Sequence, residues 1–449
     1  MIRRLLICAC LLAGFTVAAA RPATAVLLAD STFVEGWRLA NGLEVRVRHV
    51  PGASGMIVVA GYRSGLLDDP KDREGLAELL ANLEFFAAAG DIPARTREEM
   101  ASLRPLGWKA GTSSRVTSFT EVATPQQFPG VLRQVATRMR GVTVTPEALA
   151  SSIAEVRRDL ASRAFGQPEQ GLYWRVRALA GGTSDEALLA QAGARGLSRL
   201  GADEVSALLR ARFTPANGCL ALVGDFTNLD LRSLVEREFG SIPGGEARPD
   251  APEVRLAGGS RTSLWPGLAR PLGALGIIAP ALDDSLHPSF YLSGLILGLQ
   301  LRRTAGAAPA PLTARFQIST YEEPELLRLY PDLPAGSTDP AALGTAFGAL
   351  AEQVGREIVS RDAMDGVKRG WDWLLGGPLP QALRFQSEKA PGMLVPLATG
   401  MVTRALWRGD DFWDRYRHRF ETTPLGPSVF LEWMEDPAHQ VRLVLAPKR

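Results

Sequence analysis

Histidine, cysteine and lysine are scarce in this 449-residue chain. It contains four histidines and three cysteines, and its lysines are Lys71, Lys109, Lys368, Lys389 and Lys448. Arginine therefore carries nearly all of the positive charge, and the formal net charge is only +2. The sequence has no dense basic block interleaved with aromatic residues, which argues against a nucleic-acid partner.

Long apolar runs are also missing, apart from one at the start of the chain. Arg3 and Arg4 precede an apolar run over residues 5–20, and small residues offer cleavage sites after Ala20 or Ala25. Residues 1–25 therefore predict a signal peptide. The run falls short of the roughly 20 apolar residues of a spanning helix, so we expect cleavage instead of a membrane anchor. The mature protein should have no membrane span and lie in the periplasm or another exported space.

Removal of residues 1–25 leaves Cys219 as the one cysteine of the mature chain, because Cys8 and Cys10 lie within the signal. An intramolecular disulfide is then excluded. Cys219 follows a glycine and precedes the apolar run 220–223, a pattern typical of a small buried strand residue.

The bulk composition is that of a folded globular protein with more than one core. The chain is 46% hydrophobic and 22% charged, and it exceeds the size of one ordinary domain. Residues 243–261 are rich in glycine, proline and charge, which predicts a linker. This linker divides residues 26–242 from residues 262–449, and each part should be stable after cleavage between them.

The apolar pattern predicts the same mixture of elements in both parts. Asn41 and Gly42 form a strong hairpin signal, and alternating valines follow it. Helices are predicted over residues 75–86 and 146–162, and strands over residues 56–60, 113–124 and 219–226. After the linker, strands are predicted over residues 272–279 and 441–445, with helices between them. The expected fold class is α+β, with two similar lobes that each pack helices on an antiparallel-rich sheet and are joined by a Gly/Pro-rich linker.

Several segments resemble the pitrilysin/insulinase family of zinc peptidases. The hairpin sequence Leu-Ala-Asn-Gly-Leu (39–43) is similar to the family's opening turn. Gly-Leu-Ala (75–77) is similar to the lead into its inverted zinc motif His-x-x-Glu-His. Phe-Thr-Pro-Ala-Asn (213–217), followed by a strand ending in Val-Gly-Asp (223–225), is similar to a later family segment. The resemblance implies the two-lobed peptidase fold.

This chain departs from the family at the residues that bind zinc. The resemblance aligns Glu78 with the first histidine, Ala81 with the general base and Asn82 with the second histidine. Glu155 stands where the family has its third ligand, about seventy residues downstream. An amide is a poor zinc ligand and alanine cannot accept a proton, so we expect no zinc and no catalytic residue. The family's cofactor is zinc, but its ligands are lost here.

Two other interpretations of these acidic residues remain open. Glu78, Glu84 and Glu155 could together hold a hard cation such as calcium. Alternatively, they belong to the solvated faces of amphipathic helices.

The resemblance also indicates candidate residues for contact with a bound peptide. Residues 108–124 match the strand with which family substrates pair, so Trp108, Thr117 and Phe119 are candidate contacts. In the second lobe, Arg303 falls near the position of an arginine that contacts the substrate carbonyl in the family. The tyrosine expected shortly after it is missing, and Tyr321 is the nearest tyrosine downstream, so Arg303 and Tyr321 are the candidate pair.

These observations lead to three hypotheses. The first is a non-catalytic subunit that pairs with an active exported zinc peptidase of the same family and helps to enclose or bind peptides. The second is a stand-alone exported peptide-binding or scaffold protein. The third is a metallopeptidase with altered ligands, which would need metal binding without histidine and catalysis without the usual base.

Overall fold

The computed structural model describes residues 26–27, 33–185, 187, 194–250, 254–294, 326–330, 333, 337–345, 348, 365, 368, 372, 377, 386–423 and 432–448. The predicted signal peptide and the candidate contacts Arg303 and Tyr321 lie outside these residues. Across the described residues, no helix has both the length and the apolar character needed to cross a membrane.

The first sheet contains seven strands in the order β1-β2-β3-β7-β4-β6-β5. They are β1 (Val26–Leu27), β2 (Phe33–Arg38), β3 (Glu44–His49), β4 (Met56–Tyr62), β5 (Trp108–Thr112), β6 (Thr117–Ala123) and β7 (Gly218–Gly224). β3 runs parallel to β7, and the other neighbouring strands are antiparallel. β5 therefore lies at one edge of this sheet.

The turn predicted at Asn41 and Gly42 joins β2 to β3. Gly42 has a φ of 89°, a conformation that favours glycine. The Asn41 Nδ2 group donates hydrogen bonds to the carbonyl oxygens of Phe239 (2.8 Å) and Ile242 (3.0 Å). The hairpin is thereby tied to a segment almost 200 residues away.

The strand predicted over residues 113–124 begins later than expected, because residues 113–116 form a turn. The Ser113 N–H donates to the Val116 carbonyl (2.8 Å), and the Val116 N–H donates to Ser113 Oγ (3.1 Å). The chain therefore reverses, and β5 pairs with β6 in antiparallel register from Trp108 opposite Glu121 to Thr112 opposite Thr117. The serine side chain takes over hydrogen bonding that a continuous strand would give to a neighbour.

The described helices fall on both faces of the first sheet and on the second sheet. They are α1 (Leu76–Phe86), α2 (Arg97–Leu103), α3 (Phe128–Arg140), α4 (Pro146–Phe165), α5 (Pro168–Ala180), α6 (Ala202–Arg212), α7 (Leu231–Phe239), α8 (Val395–Leu406) and α9 (Asp410–Thr422). The predicted start of α4 is confirmed, since Thr145 accepts a hydrogen bond from the Ala148 N–H (3.1 Å) and proline occupies the first turn. One apolar core joins the first sheet to α1, α3, α4, α6 and α7.

The second sheet has four strands in the order β10-β9-β11-β8. They are β8 (Gly259–Trp265), β9 (Leu272–Ile278), β10 (Leu326–Leu329) and β11 (Gln440–Pro447). β11 runs parallel to β8 and antiparallel to β9, so the last strand of the chain lies inside this sheet.

The two parts of the chain exchange helices. Helix α5 precedes the linker, yet its residues Leu172 and Val176 pack in the core of the second sheet. Helix α8 follows the linker, yet its residue Val402 packs against the face of the first sheet opposite α1. A Cβ placed on Gly61 of β4 would lie 2.1 Å from a Val402 methyl group, so only glycine permits this approach.

The exchange explains why the central strands of the first sheet are buried throughout. Every residue of β4 and of β7 is buried, because α1 and its neighbours cover one face and α8 covers the other. Cys219 lies on the α8 face, where burial raises the pKa of its thiol. The prediction that it is a buried strand residue is confirmed.

The predicted fold class is confirmed: the protein is a mixed α and β structure with two helix-packed sheets. β8 begins at Gly259, within the segment predicted as a linker over residues 243–261. The division into residues 26–242 and 262–449 stays a prediction. The exchanged helices nevertheless argue against two pieces that are stable apart.

We predict that cleavage between residues 243 and 250 leaves one folded particle. Separation would expose the apolar surface between α8 and the first sheet and that between α5 and the second sheet. Size-exclusion chromatography after cleavage at an inserted protease site should show both fragments in one peak, and they should separate only in denaturant. Two folded monomers in native buffer would contradict this account.

Candidate functional site

Helix α1 forms the base of a cleft beside the edge of the first sheet. Glu78, Ala81 and Asn82 lie three and four positions apart and therefore face the same side of the helix. All three line a cleft of about 440 Å³. The predicted motif positions thus converge on one cavity.

Asp69 fixes the beginning of α1. Its carboxylate accepts hydrogen bonds from the backbone N–H groups of Gly75 and Ala77, both at 2.8 Å. Burial raises the pKa of this carboxyl to about 7, although the two backbone hydrogen bonds act in the opposite direction. The N–H groups in the first turn of α1 are thus satisfied within the chain, at the end of the helix nearest Glu78.

Glu155 of α4 lies in an adjoining cleft, which Asn82 and Arg97 also line, and contacts α1 there. The Asn82 Nδ2 group donates a hydrogen bond to Glu155 Oε2 (3.1 Å). The structure therefore brings together the positions that the family resemblance aligned with the second and third zinc ligands. In this chain the two side chains are joined by that hydrogen bond.

Two arginines engage the glutamates of this site. Arg97, at the first position of α2, forms an ion pair with Glu155, and its guanidinium also lies 3.8 Å from Asp159. Arg163, near the end of α4, forms an ion pair with Glu78. The guanidinium of Arg97 lies 5.3 Å from the centre of the Phe86 ring, within the range of a cation–π contact.

The residues of this cleft do not fit zinc. Each glutamate is already paired with a guanidinium, and the Asn82 amide directs a donor toward Glu155, where a metal would need an acceptor. Ala81 has no group that accepts a proton. Within the described residues, no three His, Cys, Asp or Glu side chains are grouped so as to hold a metal ion.

The alternative of a calcium site formed by three glutamates fails on geometry. Glu84 is only 3% exposed and lies within the core beneath α1, near Tyr62 and Arg138. Burial raises the pKa of Glu84 well above its usual range, and the positive charge of Arg138 opposes that shift. Glu78 lines the cleft and Glu155 lines the adjoining one, so the three carboxylates do not converge.

The edge strand β5 forms the wall of the cleft opposite α4. Among the described residues, β5 pairs with β6 on one side only. The cleft is lined by residues from both faces of the sheet at this edge: Ala81 and Phe86 on the α1 face, and Gly111, Ser118, Thr399 and Thr403 on the α8 face. It therefore follows the edge itself, where the outward backbone N–H and C=O groups of β5 lie.

The candidate peptide contacts differ in accessibility. Trp108 is half-buried and packs on Phe85, with ring centres 5.6 Å apart. Thr117 is fully buried and Phe119 is 6% exposed, stacked on Phe85 at 5.6 Å. Because these two side chains fill the core between α1 and β6, the structure assigns them to packing and not to peptide contact. Arg303 and Tyr321 lie outside the described residues.

Arg97 and Arg163 were not among the site residues predicted from the sequence. Arg163 follows Glu155 by two helical turns with Asp159 midway, so the spacing i, i+4, i+8 on a predicted helix could have revealed a charged stripe. Arg97 gives no comparable signal, because the loop after α1 carries it back to Glu155. Thr399 and Thr403 were missed because the exchange of α8 was not anticipated.

No family sequence model matches the chain, and no curated protein matches it by sequence. Solved structures match its fold. A protease from Helicobacter pylori shares it with a TM-score of 0.71 at 15% identity, over 92% of this chain and 99% of that one. An inactive M16 peptidase domain from Pseudomonas fluorescens gives a TM-score of 0.64 at 13% identity, over 93% and 98%.

The periplasmic protease PqqL from Escherichia coli gives a TM-score of 0.63 at 13% identity, over 92% of this chain and 47% of that one. The chain thus spans about half the length of PqqL. Together these likenesses show that the chain has the fold of M16-like, insulinase-type peptidases, as the sequence resemblance predicted. At such low identity they show the fold alone, since one fold supports different activities.

We predict that Arg163→Met lowers the free energy of unfolding by about 1–3 kcal/mol. The substitution leaves the Glu78 carboxylate without its cationic partner, and Glu78 Oε2 already lacks a hydrogen bond within the described structure. Denaturant unfolding measures the change. Arg158→Met is the matched control, because it removes the same charge from an exposed position on the same helix.

The double variant Glu78→Gln with Arg163→Met separates the stabilisation due to the ion pair from other effects of the Arg163 substitution on α4. If the pair stabilises the protein, the two substitutions should be less than additive. Full additivity, or an equal loss in Arg158→Met, would contradict the role assigned to this pair.

Proposed function

We propose that this chain is the non-catalytic subunit of an exported peptidase assembly. In this proposal it binds an extended peptide along β5 and pairs with an active zinc peptidase of the same fold. The proposal rests on one observation. In and beside the cleft, arginine–glutamate ion pairs occupy the positions that the family resemblance aligns with zinc and its ligands.

The loss of catalysis is supported by three features of the cleft. Ala81 cannot act as a general base. Asn82 and Glu155 are hydrogen-bonded to each other at 3.1 Å. The guanidinium groups of Arg97 and Arg163 neutralise the carboxylates that could otherwise attract a cation.

Peptide binding is supported by the edge of the first sheet. An extended peptide can add as a further strand to an unpaired edge, where main-chain hydrogen bonds give affinity and side-chain pockets give specificity. β5 offers such an edge along a cleft, and Trp108 is partly accessible at its start. Binding of this kind needs neither a metal nor a nucleophile.

Export and pairing are supported by the sequence and by two relatives of the fold. Residues 1–25 have the pattern of a signal peptide, and PqqL is described as periplasmic. The Pseudomonas fluorescens relative is described as an inactive domain. A homologous partner with an intact His-x-x-Glu-His motif would supply the chemistry that this chain lacks.

We predict that the mature protein contains no stoichiometric zinc and leaves unstructured peptides intact. Elemental analysis after dialysis against micromolar zinc, with mass spectrometry of the peptides, measures both properties. About one zinc per chain together with chelator-sensitive hydrolysis would overturn the non-catalytic assignment and favour a metallopeptidase with altered ligands.

A reconstructed motif provides the positive control. The triple variant Glu78→His, Ala81→Glu, Asn82→His restores two ligands and the base, but Arg97 still engages Glu155. Adding Arg97→Ala should release this carboxylate and strengthen zinc binding relative to the triple variant. Equal zinc affinity in both variants would show that Arg97 does not withhold the third ligand.

We predict that the protein co-purifies with an exported homologue that has an intact zinc motif, and that omitting this chain lowers the activity of that homologue. Mixing the purified proteins at micromolar concentration, with peptide hydrolysis as the readout, measures the effect. If no homologue binds and the active enzyme works fully alone, the subunit proposal fails. Peptide binding without a partner would then favour a stand-alone exported binding protein.

A further inference from the structure

The two sides of the β5 edge differ in chemistry. In antiparallel sheets, residues directly opposite each other project to the same face. Gly111 pairs with Ser118, which pairs with Gly61, and Gly61 abuts Val402 of α8. Gly111 therefore lies on the α8 face of the sheet, and Lys109, two positions earlier on β5, lies on that face as well.

Lys109 is the cation of the α8 side of the cleft. It is exposed, and its Cε atom lies 3.4 Å from where a Cβ on Gly111 would be, so the side chain extends along the strand over that glycine. Within the described part of the chain, the Lys109 ammonium group forms neither an ion pair nor a hydrogen bond, although the backbone pairs with Thr120 of β6. The absence of a side chain at Gly111 leaves room for this path.

Most of the cleft-lining neighbours of Lys109 on this side are small and polar, with Val116 as an apolar neighbour. Four hydroxyl residues line the cleft here: Ser113, Ser118, Thr399 and Thr403. The two described carboxylates that line the cleft, Glu78 and Asp159, belong to α1 and α4 on the opposite side. The α8 side therefore presents a positive charge and hydroxyl groups with no described carboxylate to balance them.

The α1 side of the same edge has the opposite character. Ala110 pairs with Phe119 and faces the core beneath α1, and Ala81, Phe86 and Val156 line the cleft there. The charged groups on this side are already paired, Arg163 with Glu78 and Arg97 with Glu155. A peptide side chain entering here meets apolar surface and neutralised charge.

We propose that the peptides bound at β5 alternate in character, with acidic side chains directed to the α8 side and apolar side chains directed to the α1 side. Successive residues of an added strand point to opposite faces, so one extended segment meets both surfaces in turn. Lys109 sets the preference for acidic residues and is the specificity-determining residue of the groove. This inference rests on the proposed function, because it requires that β5 binds peptides.

Three matched peptides test the preference on the mature protein. Each is ten residues long with blocked ends and carries the same apolar residues at every second position, and the positions between them hold Glu, Gln or Lys. Fluorescence anisotropy or calorimetry should rank affinity as Glu above Gln above Lys. A single solvent-accessible ion pair implies steps of about 1.5- to fivefold, which should shrink at high salt.

Variants then assign the preference to Lys109. Lys109→Gln should equalise the Glu and Gln peptides, and Lys109→Glu should reverse the order so that the Lys peptide binds most tightly. Lys448→Glu is the control, because it makes the same charge change at an exposed residue that directly follows β11 of the second sheet. Since Lys109 is exposed, its variants should unfold at the same denaturant concentration as the parent.

The outcomes separate this inference from the function on which it rests. Equal binding of all three peptides, or the same reversal in Lys448→Glu, would overturn the role of Lys109 while leaving peptide binding at β5 in place. Failure of all three peptides to bind at millimolar concentration would overturn the proposed function, and this inference with it.

Discussion

Two guanidinium groups hold helix α1 against its neighbours at the base of the cleft. Arg163 bridges α4 to Glu78 of α1, and Arg97 bridges the start of α2 to Glu155, which also accepts a hydrogen bond from Asn82. A carboxylate that is mostly removed from water must be compensated, either by a metal ion or by a cationic side chain. Here arginine compensates both glutamates.

The exchange of α5 and α8 makes this cleft a joint product of both parts of the chain. Trp174 of α5 lines it beside Arg163, and Thr399 and Thr403 of α8 line it beside β5. The same helices bury the faces of the two sheets, so the residues that shape the cleft also stabilise the fold. The surface of the cleft is therefore fixed by packing, which would limit the conformational entropy that the protein loses on binding a peptide there.

The parts of the fold that follow from local sequence could be predicted, and those that depend on distant pairing could not. The Asn41-Gly42 hairpin, the helix after Thr145 and the buried Cys219 each follow from short-range patterns. The turn at Ser113 was missed because its serine and threonine neighbours resemble strand residues, and only the side-chain hydrogen bond reverses the chain. The exchange of helices leaves no periodic signal, because an apolar helix face does not reveal which sheet it covers.

The site was predictable to a similar extent. The family resemblance indicated Glu78, Ala81, Asn82 and Glu155. The structure brings the first three to one cleft, and Asn82 donates a hydrogen bond to Glu155 in the adjoining cleft. The roles of Thr117 and Phe119 were not predictable, because alternation along a strand does not tell which face is covered until α1 is placed. Arg97 was not predictable either, since its pairing with Glu155 depends on the path of the loop before α2.

We propose that this cleft binds extended peptides at β5 without cleaving them. Hydrogen exchange measured by mass spectrometry tests both binding and the lack of cleavage in one sample. The sample contains the mature protein, a peptide of alternating acidic and apolar residues, and excess zinc. We expect slower exchange of the backbone amides in residues 108–112 and a peptide that keeps its full mass. A shortened peptide, or unchanged exchange in β5 when the peptide is bound, would contradict this proposal.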